Sequence, residues 1–167
     1  MTRFGIGYDA HPLVAGTSLV LAGIVVPFDR GLEGHSDGDV ATHAIIDALL
    51  GAAALGDIGM HFKAHDPAVP QGIASITLLE RTASMLEASG WQVGNVDATI
   101  VAQLPRLAEH ITAMRSAISQ ALGTGIENVS IKATTEDGLG FSGAGDGIAA
   151  MAVAGIVECG STADRSR

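Results

Sequence analysis

Gly34-His35-Ser36-Asp37-Gly38-Asp39-Val40-Ala41-Thr42-His43-Ala44-Ile45-Ile46-Asp47-Ala48-Leu49-Leu50-Gly51 decides the fold. It opens as a polar turn and continues as a helix. Ser36 or Asp37 can cap the first turn, and Asp39 sits where a carboxylate favours the positive end of the helix dipole. Asp39, His43 and Asp47 follow at steps of four, which sets them on one helical face. Ile45, Ile46, Leu49 and Leu50 form the side to be buried. A carboxylate–imidazole–carboxylate row on a mostly apolar helix suits a metal or phosphate site, or else a solvated polar face.

Towards the N-terminus, Phe4, Ile6 and Tyr8 alternate with small residues, so Arg3 to Asp9 is a predicted strand. Asp9 and His11 then share one side of an extended backbone, and Pro12 holds His11 extended. Ser18 to Val26 is a second predicted strand, hairpin-paired with the first, and residues 27–34 form a loop. Towards the C-terminus the central helix should end near Leu55-Gly56. Asp57 to Phe62 is then a functional loop or a single turn. Residues 63–72 carry two prolines and form a predicted flap, with His61 and His65 as exposed loop histidines.

The rest alternates. Residues 73–89 are an amphipathic helix, 93–103 a strand, 107–122 a helix and 128–135 a strand. Thr134 to Gly147 holds five glycines in fourteen residues, mixed with hydroxyls and carboxylates, and can wrap a phosphate with backbone N–H groups. Residues 148–157 are apolar, and periodicity leaves strand and helix both open. One domain over 1–160 with a polar tail at 161–167 is expected. An initial hairpin followed by uneven alternation favours an α+β fold, a mixed four- to five-stranded sheet with helices packed on one face.

Composition narrows the function. Apolar residues make up 47% of the chain and aromatics only 4%, so the core is built from small aliphatic side chains. A formal charge of −9 disfavours nucleic acid and anionic membranes as partners. An anionic substrate would therefore need a bound cation. Cys159 is the single cysteine, which suits a reducing compartment. With no apolar leader and no spanning run, the expected location is cytoplasmic.

Asp9, His11 and His43 make a one-carboxylate, two-imidazole set. Three protein ligands with a fourth position open is the pattern of catalytic zinc. Asp47, one turn beyond His43, is a candidate outer carboxylate that orients an imidazole. Glu136 and Asp137 offer hard oxygens to Mg²⁺ or Mn²⁺. Lys132 faces a phosphate or pairs with an acid on the sheet.

These segments closely resemble the 2-C-methyl-D-erythritol 2,4-cyclodiphosphate synthase family. The likeness is carried by Gly7-Tyr8-Asp9-Ala10-His11, by the run from His35-Ser36-Asp37-Gly38-Asp39 through Asp57-Ile58-Gly59, by Gly94-Asn95-Val96-Asp97, and by Lys132-Ala133-Thr134-Thr135 through Gly147. The resemblance implies a homotrimer with sheets packed around the axis, residues 148–157 as a strand near that axis, and active sites at subunit interfaces. Asp9, His11 and His43 would hold Zn²⁺, with a substrate phosphate oxygen as fourth ligand. His35 and Ser36 would contact the substrate phosphates, and Asp57 and Gly59 its hydroxyls. Phe62, Asp66 and Phe141 would complete the substrate contacts.

The neighbouring subunit would bind cytidine through the loop from Ala102 to Arg106 and through Ala133, Thr134 and Thr135. His35 and Thr135 would be the catalytic pair. The reaction implied is that of a phosphorus-oxygen lyase in the non-mevalonate isoprenoid route. The 2-phosphate of 4-diphosphocytidyl-2-C-methyl-D-erythritol 2-phosphate attacks its own β-phosphorus, and CMP leaves. Family members carry Thr-Thr-Thr-Glu where this chain has Thr134-Thr135-Glu136-Asp137. That places Asp137 at the position for Mg²⁺ or Mn²⁺ bridging the diphosphate, with Glu136 as the alternative. Ala144 stands where relatives carry an arginine that points to the trimer axis and helps hold an isoprenoid diphosphate.

Overall fold

The first strand runs on beyond the alternating large and minimal residues that mark its start. In the computed structural model, which describes residues 1–159, strand β1 runs Thr2–Ala15. Its first part pairs antiparallel with β7 (Gly147–Glu158) and its last part with β4 (Arg30–Leu32). The order β4-β1-β7-β5-β6 makes a five-stranded mixed sheet, in which β5 (Trp91–Val101) and β6 (Val129–Thr134) are the parallel pair. Residues 148–157, ambiguous by periodicity, are therefore a strand at the sheet centre. The expected tail at 161–167 lies outside the described residues.

Helix α1 (Val40–Ala53) lies across β1 and β7. Glycine allows this approach. A Cβ on Gly5 would stand 2.0 Å from the Ala48 carbonyl oxygen, and one on Gly7 2.0 Å from that of Ala44. Helix α1 is buried on nearly all sides because α3 (Ser75–Ala88) covers its outer flank. Helix α4 (Ile111–Leu122) packs on α3 and β6. Ile45, Ile46, Leu49, Leu50, Leu79, Ile100 and Ile118 are fully enclosed in one continuous core.

The opposite face of β1 and β7 is uncovered and apolar. Phe4, Ile6 and Tyr8 are 70%, 67% and 56% exposed, and Met151 and Val153 stand beside them.

Several local expectations shift. Residues 18–26 do not pair with β1. They fold on themselves as β2 (Leu19–Leu21) and β3 (Ile24–Val26), joined by Ala22 and Gly23 at φ 49° and 76°. Two central residues with positive φ are what a tight two-residue hairpin turn requires. The place beside β1 goes instead to β4, inside the stretch expected to be loop.

Asp39 itself, not Ser36 or Asp37, caps α1. One carboxylate oxygen accepts from Thr42 N (3.0 Å) and Ala22 N (2.8 Å), the other from Gly23 N (2.7 Å) and Thr42 Oγ1 (2.6 Å). Asp39 is thus a fully buried clamp between hairpin and helix, and it leaves the row with His43 and Asp47. The helix ends earlier than expected, on Ala54 in the left-handed conformation. Helix α4 starts at Ile111 rather than 107, since residues 107–110 form a separate turn closed by His110 N to Leu107 O.

Candidate functional site

Period two sets Asp9 and His11 on the helix-facing side of β1, in line with Gly5 and Gly7. His43, one turn into α1, comes down onto them. Asp9 Oδ2 is 2.8 Å from His43 Nδ1 and 3.2 Å from His11 Nε2. One donor atom from each of the three residues lies within 4.8 Å of the others. Ligand atoms of a tetrahedral zinc sit roughly 3.3 Å apart, so the three residues fit one cation with a corner left for a further oxygen. Among the described residues this is the one such His/Cys/Asp/Glu group.

Electrostatics agrees with the geometry. Burial resists ionisation of Asp9, but the two imidazoles beside it hold its carboxyl well below the usual range. The same bond to Asp9 raises His11, against the effect of its burial.

The far side of the His43 ring is also engaged. Nε2 is 2.9 Å from Ser36 Oγ and 2.8 Å from Ser75 Oγ, the latter at the first position of α3. Ser75 Oγ donates in turn to Asp37 Oδ1, while Asp37 Oδ2 accepts from Ser75 N at 3.0 Å. Asp47 is hydrogen-bonded elsewhere. Its carboxylate accepts from Ile58 N (2.8 Å) and fixes the start of the single-turn helix α2 (Ile58–His61), while the bonds to the imidazole come from Asp9, Ser36 and Ser75. Burial first, then the nearby Asp57 and Asp9 charges, push the Asp47 carboxyl up. His61 Nε2 donates to Leu55 O and is only partly exposed.

A cavity of about 220 Å³ opens over the cluster. His35, Ser36, Gly59 and Phe62 line it together with the three candidate ligands and Asp47. Asp57 caps α2 through Met60 N, and Asp66 caps its own turn through Ala68 N; neither lines this cavity.

A second cavity, of about 360 Å³, sits at the ends of β5 and β6. It gathers Ala102, Arg106, Ala133, Thr134 and Thr135 from the expected cytidine set, and leaves out Leu104 of the same loop. The two cavities share no lining residue. The glycine-rich segment after Thr135 contains one helical turn, α5 (Gly140–Gly143). Ser142 Oγ donates to Glu136 Oε2. Asp137 is exposed, held at φ 50°, and accepts from Thr135 Oγ1 at 2.9 Å. Each acid thus has one hydroxyl partner, but Glu136 reaches on to Ser142 in α5 whereas Asp137 bonds only within its own turn. Phe141 is exposed, with its ring edge close to Gly147. Lys132 Nζ reaches both oxygens of Asp97 at 2.6 Å, so it pairs on the sheet.

Residues 2–157 match the model of the YgbB family. The chain belongs to the YgbB family. A relative from Thiobacillus denitrificans, named 2-C-methyl-D-erythritol 2,4-cyclodiphosphate synthase, is 55% identical over 151 residues, 90% of this chain and 94% of its own length. One of the same name from Trichlorobacter lovleyi is 52% identical over 151 residues, 90% of this chain and 96% of its own. Among solved structures, a 2C-methyl-D-erythritol-2,4-cyclodiphosphate synthase in its CDP-bound form is 33% identical. Its TM-score is 0.85, with 93% of this chain and 100% of that chain covered. The CDP complex of IspF from Plasmodium falciparum is 28% identical at TM-score 0.81, covering 94% of this chain and 96% of that one. Membership of the YgbB family thus rests on sequence and fold together.

Ser75 and the clamping role of Asp39 went unseen in the sequence. A serine opening an amphipathic helix after Gly72-Ile73-Ala74 is the one available signal for Ser75, and it points to capping rather than to an imidazole 32 residues away.

Proposed function

We infer that this YgbB-family chain is a phosphorus-oxygen lyase, a 2-C-methyl-D-erythritol 2,4-cyclodiphosphate synthase of isoprenoid precursor biosynthesis. It converts 4-diphosphocytidyl-2-C-methyl-D-erythritol 2-phosphate to the 2,4-cyclodiphosphate and releases CMP. The observation that carries the reading is the convergence of Asp9, His11 and His43 beneath a cavity rimmed by His35 and Ser36. Two imidazoles and one carboxylate favour Zn²⁺ there, whereas the exposed Asp137 favours Mg²⁺ or Mn²⁺ across the diphosphate.

When bound, the cations supply charge neutralisation and polarise phosphate oxygens, which an acidic chain binding a polyanion needs. The remaining work falls to the chain. His35 and Ser36 orient the phosphates, Asp57 and Gly59 hold the polyol hydroxyls, and Phe62, Asp66 and Phe141 close on the substrate. The cavity of Ala102, Arg106, Ala133, Thr134 and Thr135 takes the cytidine. The attacking phosphate is already anionic near neutral pH, so bending the substrate and aligning attack in line are the main tasks, with His35 and Thr135 as the catalytic pair.

Two features favour a homotrimer with composite sites. The metal and nucleotide cavities of one chain are separate, and Phe4, Ile6, Tyr8, Met151 and Val153 leave an apolar sheet face for other copies. Ala144 at residue 144 brings no charge to that axis. No described helix is long and apolar enough to cross a membrane.

Incubation with zinc, magnesium and the cytidylated substrate tests the reading. Equal amounts of CMP and cyclic diphosphate are expected by mass analysis. A linear product that has taken up water would make the protein a phosphohydrolase instead, and tight cytidine nucleotide binding with no CMP formed would make it a binding module.

A further inference from the structure

The His43 ring has two nitrogens, and a metal ligand works only if the proton sits on the other one. Hydrogen accounting around Ser75 points to which. Ser75 is fully buried, and so has no water to bond. Its hydroxyl carries one proton, and the close contact with Asp37 Oδ1 takes it, because a carboxylate is acceptor-only. What Ser75 Oγ can still offer to His43 Nε2, 2.8 Å away, is a lone pair.

We propose that Ser75 is a positioning residue that fixes the His43 tautomer. It receives the Nε2 proton and so leaves Nδ1 as the lone-pair atom that faces Asp9 and His11. With Nε2 protonated, Nδ1 and Asp9 Oδ2 confront each other at 2.8 Å as two lone pairs, an arrangement that a shared cation makes favourable. Asp37 fixes Ser75 in turn, since its second oxygen accepts from Ser75 N and its own N–H donates to Ile73 O. The relay Asp37–Ser75–His43 therefore ties the start of α3 to the metal-holding face of α1. Ser36 Oγ, less buried, lies 2.9 Å from the same Nε2 and 3.2 Å from Ser75 Oγ; with its own proton turned to Ser75, whose proton goes to Asp37, it too accepts from Nε2.

The inference rests on Asp9, His11 and His43 as metal ligands, and the test separates the two. Zinc affinity is measured by competition with a chromophoric chelator, for wild type and Ser75→Ala. Two-bond ¹⁵N–¹H correlations on histidine-labelled, zinc-loaded wild type assign the His43 nitrogens. The expected result is zinc on Nδ1, a proton on Nε2 that exchanges slowly with water, and affinity weakened ~10- to 100-fold in Ser75→Ala. Zinc on Nε2 with the proton on Nδ1 overturns the proposal, as does a folded Ser75→Ala that binds zinc as tightly as wild type. If Ser75→Ala does not fold, the wild-type nitrogen assignment alone decides. Failure of wild type to bind zinc would overturn the ligand assignment, and this proposal with it.

Discussion

The cluster at Asp9, His11 and His43 and the turn at Thr135 to Asp137 are built in opposite ways. In the first, one oxygen of Asp9 meets both imidazoles. His43 is 7% exposed and contacted at both nitrogens, and hydrogen bonds run from its Nε2 through Ser75 to Asp37. In the second, Thr134, Thr135 and Asp137 are exposed, and Asp137 has one side-chain partner, Thr135. The difference teaches how the labour is divided. The fold of one chain pre-organises the metal corner, where misplacement by an ångström is costly. The second side is an open platform, which under the proposed function substrate and a neighbouring copy would complete.

Substitutions can break this contrast. His43→Ala should have the largest effect, a loss of kcat/KM of ~10³-fold or more, because it removes a ligand from the pre-organised corner. Steady-state CMP release checks it, and wild-type rates would refute the assignment. On the open side, Asp137→Asn should cost about 10²-fold, most of it recoverable at high Mg²⁺, whereas Glu136→Gln should change kcat/KM by only ~3-fold and chiefly loosen the bond to Ser142. Equal losses in the two variants would erase the distinction drawn between these neighbours.

Asp39→Ala sharpens the contrast within α1. It should lower unfolding free energy by about 2 kcal/mol in urea titrations and leave zinc affinity unchanged, since four donors lose their acceptor while the ligands keep theirs.

The smallest effect is a pH dependence at Asp97. Lys132 holds the Asp97 carboxyl below its ordinary 3.8. Above that value both folded and unfolded chains are ionised and the full stabilisation is present. As pH falls from 3.8 towards the lower folded value, the unfolded chain takes the proton first and stability is lost. With Lys132 and Asp97 side chains 54% and 43% exposed, the loss should stay below about 1 kcal/mol. Comparing wild type with Lys132→Met in acid denaturation measures it.

Much of this was legible in the chain because the decisive spacings are local. Asp9 and His11 two apart on a strand, and His43 on a helix that also carries Ile45, Ile46 and Leu49, specify their own orientation once the elements form. Local spacing is silent where partners are distant in sequence. Ser75 meets His43 only because α3 packs beside α1, and Asp39 becomes a clamp only because a hairpin at residues 22 and 23 offers it two N–H groups. Pairing of β1 with β4 rather than with residues 18–26 turned on Ala22 taking positive φ, which alanine seldom does and a propensity reading passes over. The strand at 147–158 is alanine-rich, so its period carried no information. Its neighbours β1 and β5, on either side, impose the conformation.

The central claim, that each site joins the metal corner of one copy to the nucleotide platform of the next, can be tested at low Mg²⁺ by mixing two impaired variants. His43→Ala and Asp137→Asn chains are co-expressed, and mixed oligomers are purified. If sites are shared between copies, about one in three interfaces of a mixed trimer pairs two intact halves, and CMP release rises well above that of either variant alone. Mixed oligomers no more active than the separate variants would mean that each chain builds its site by itself, and would contradict the account.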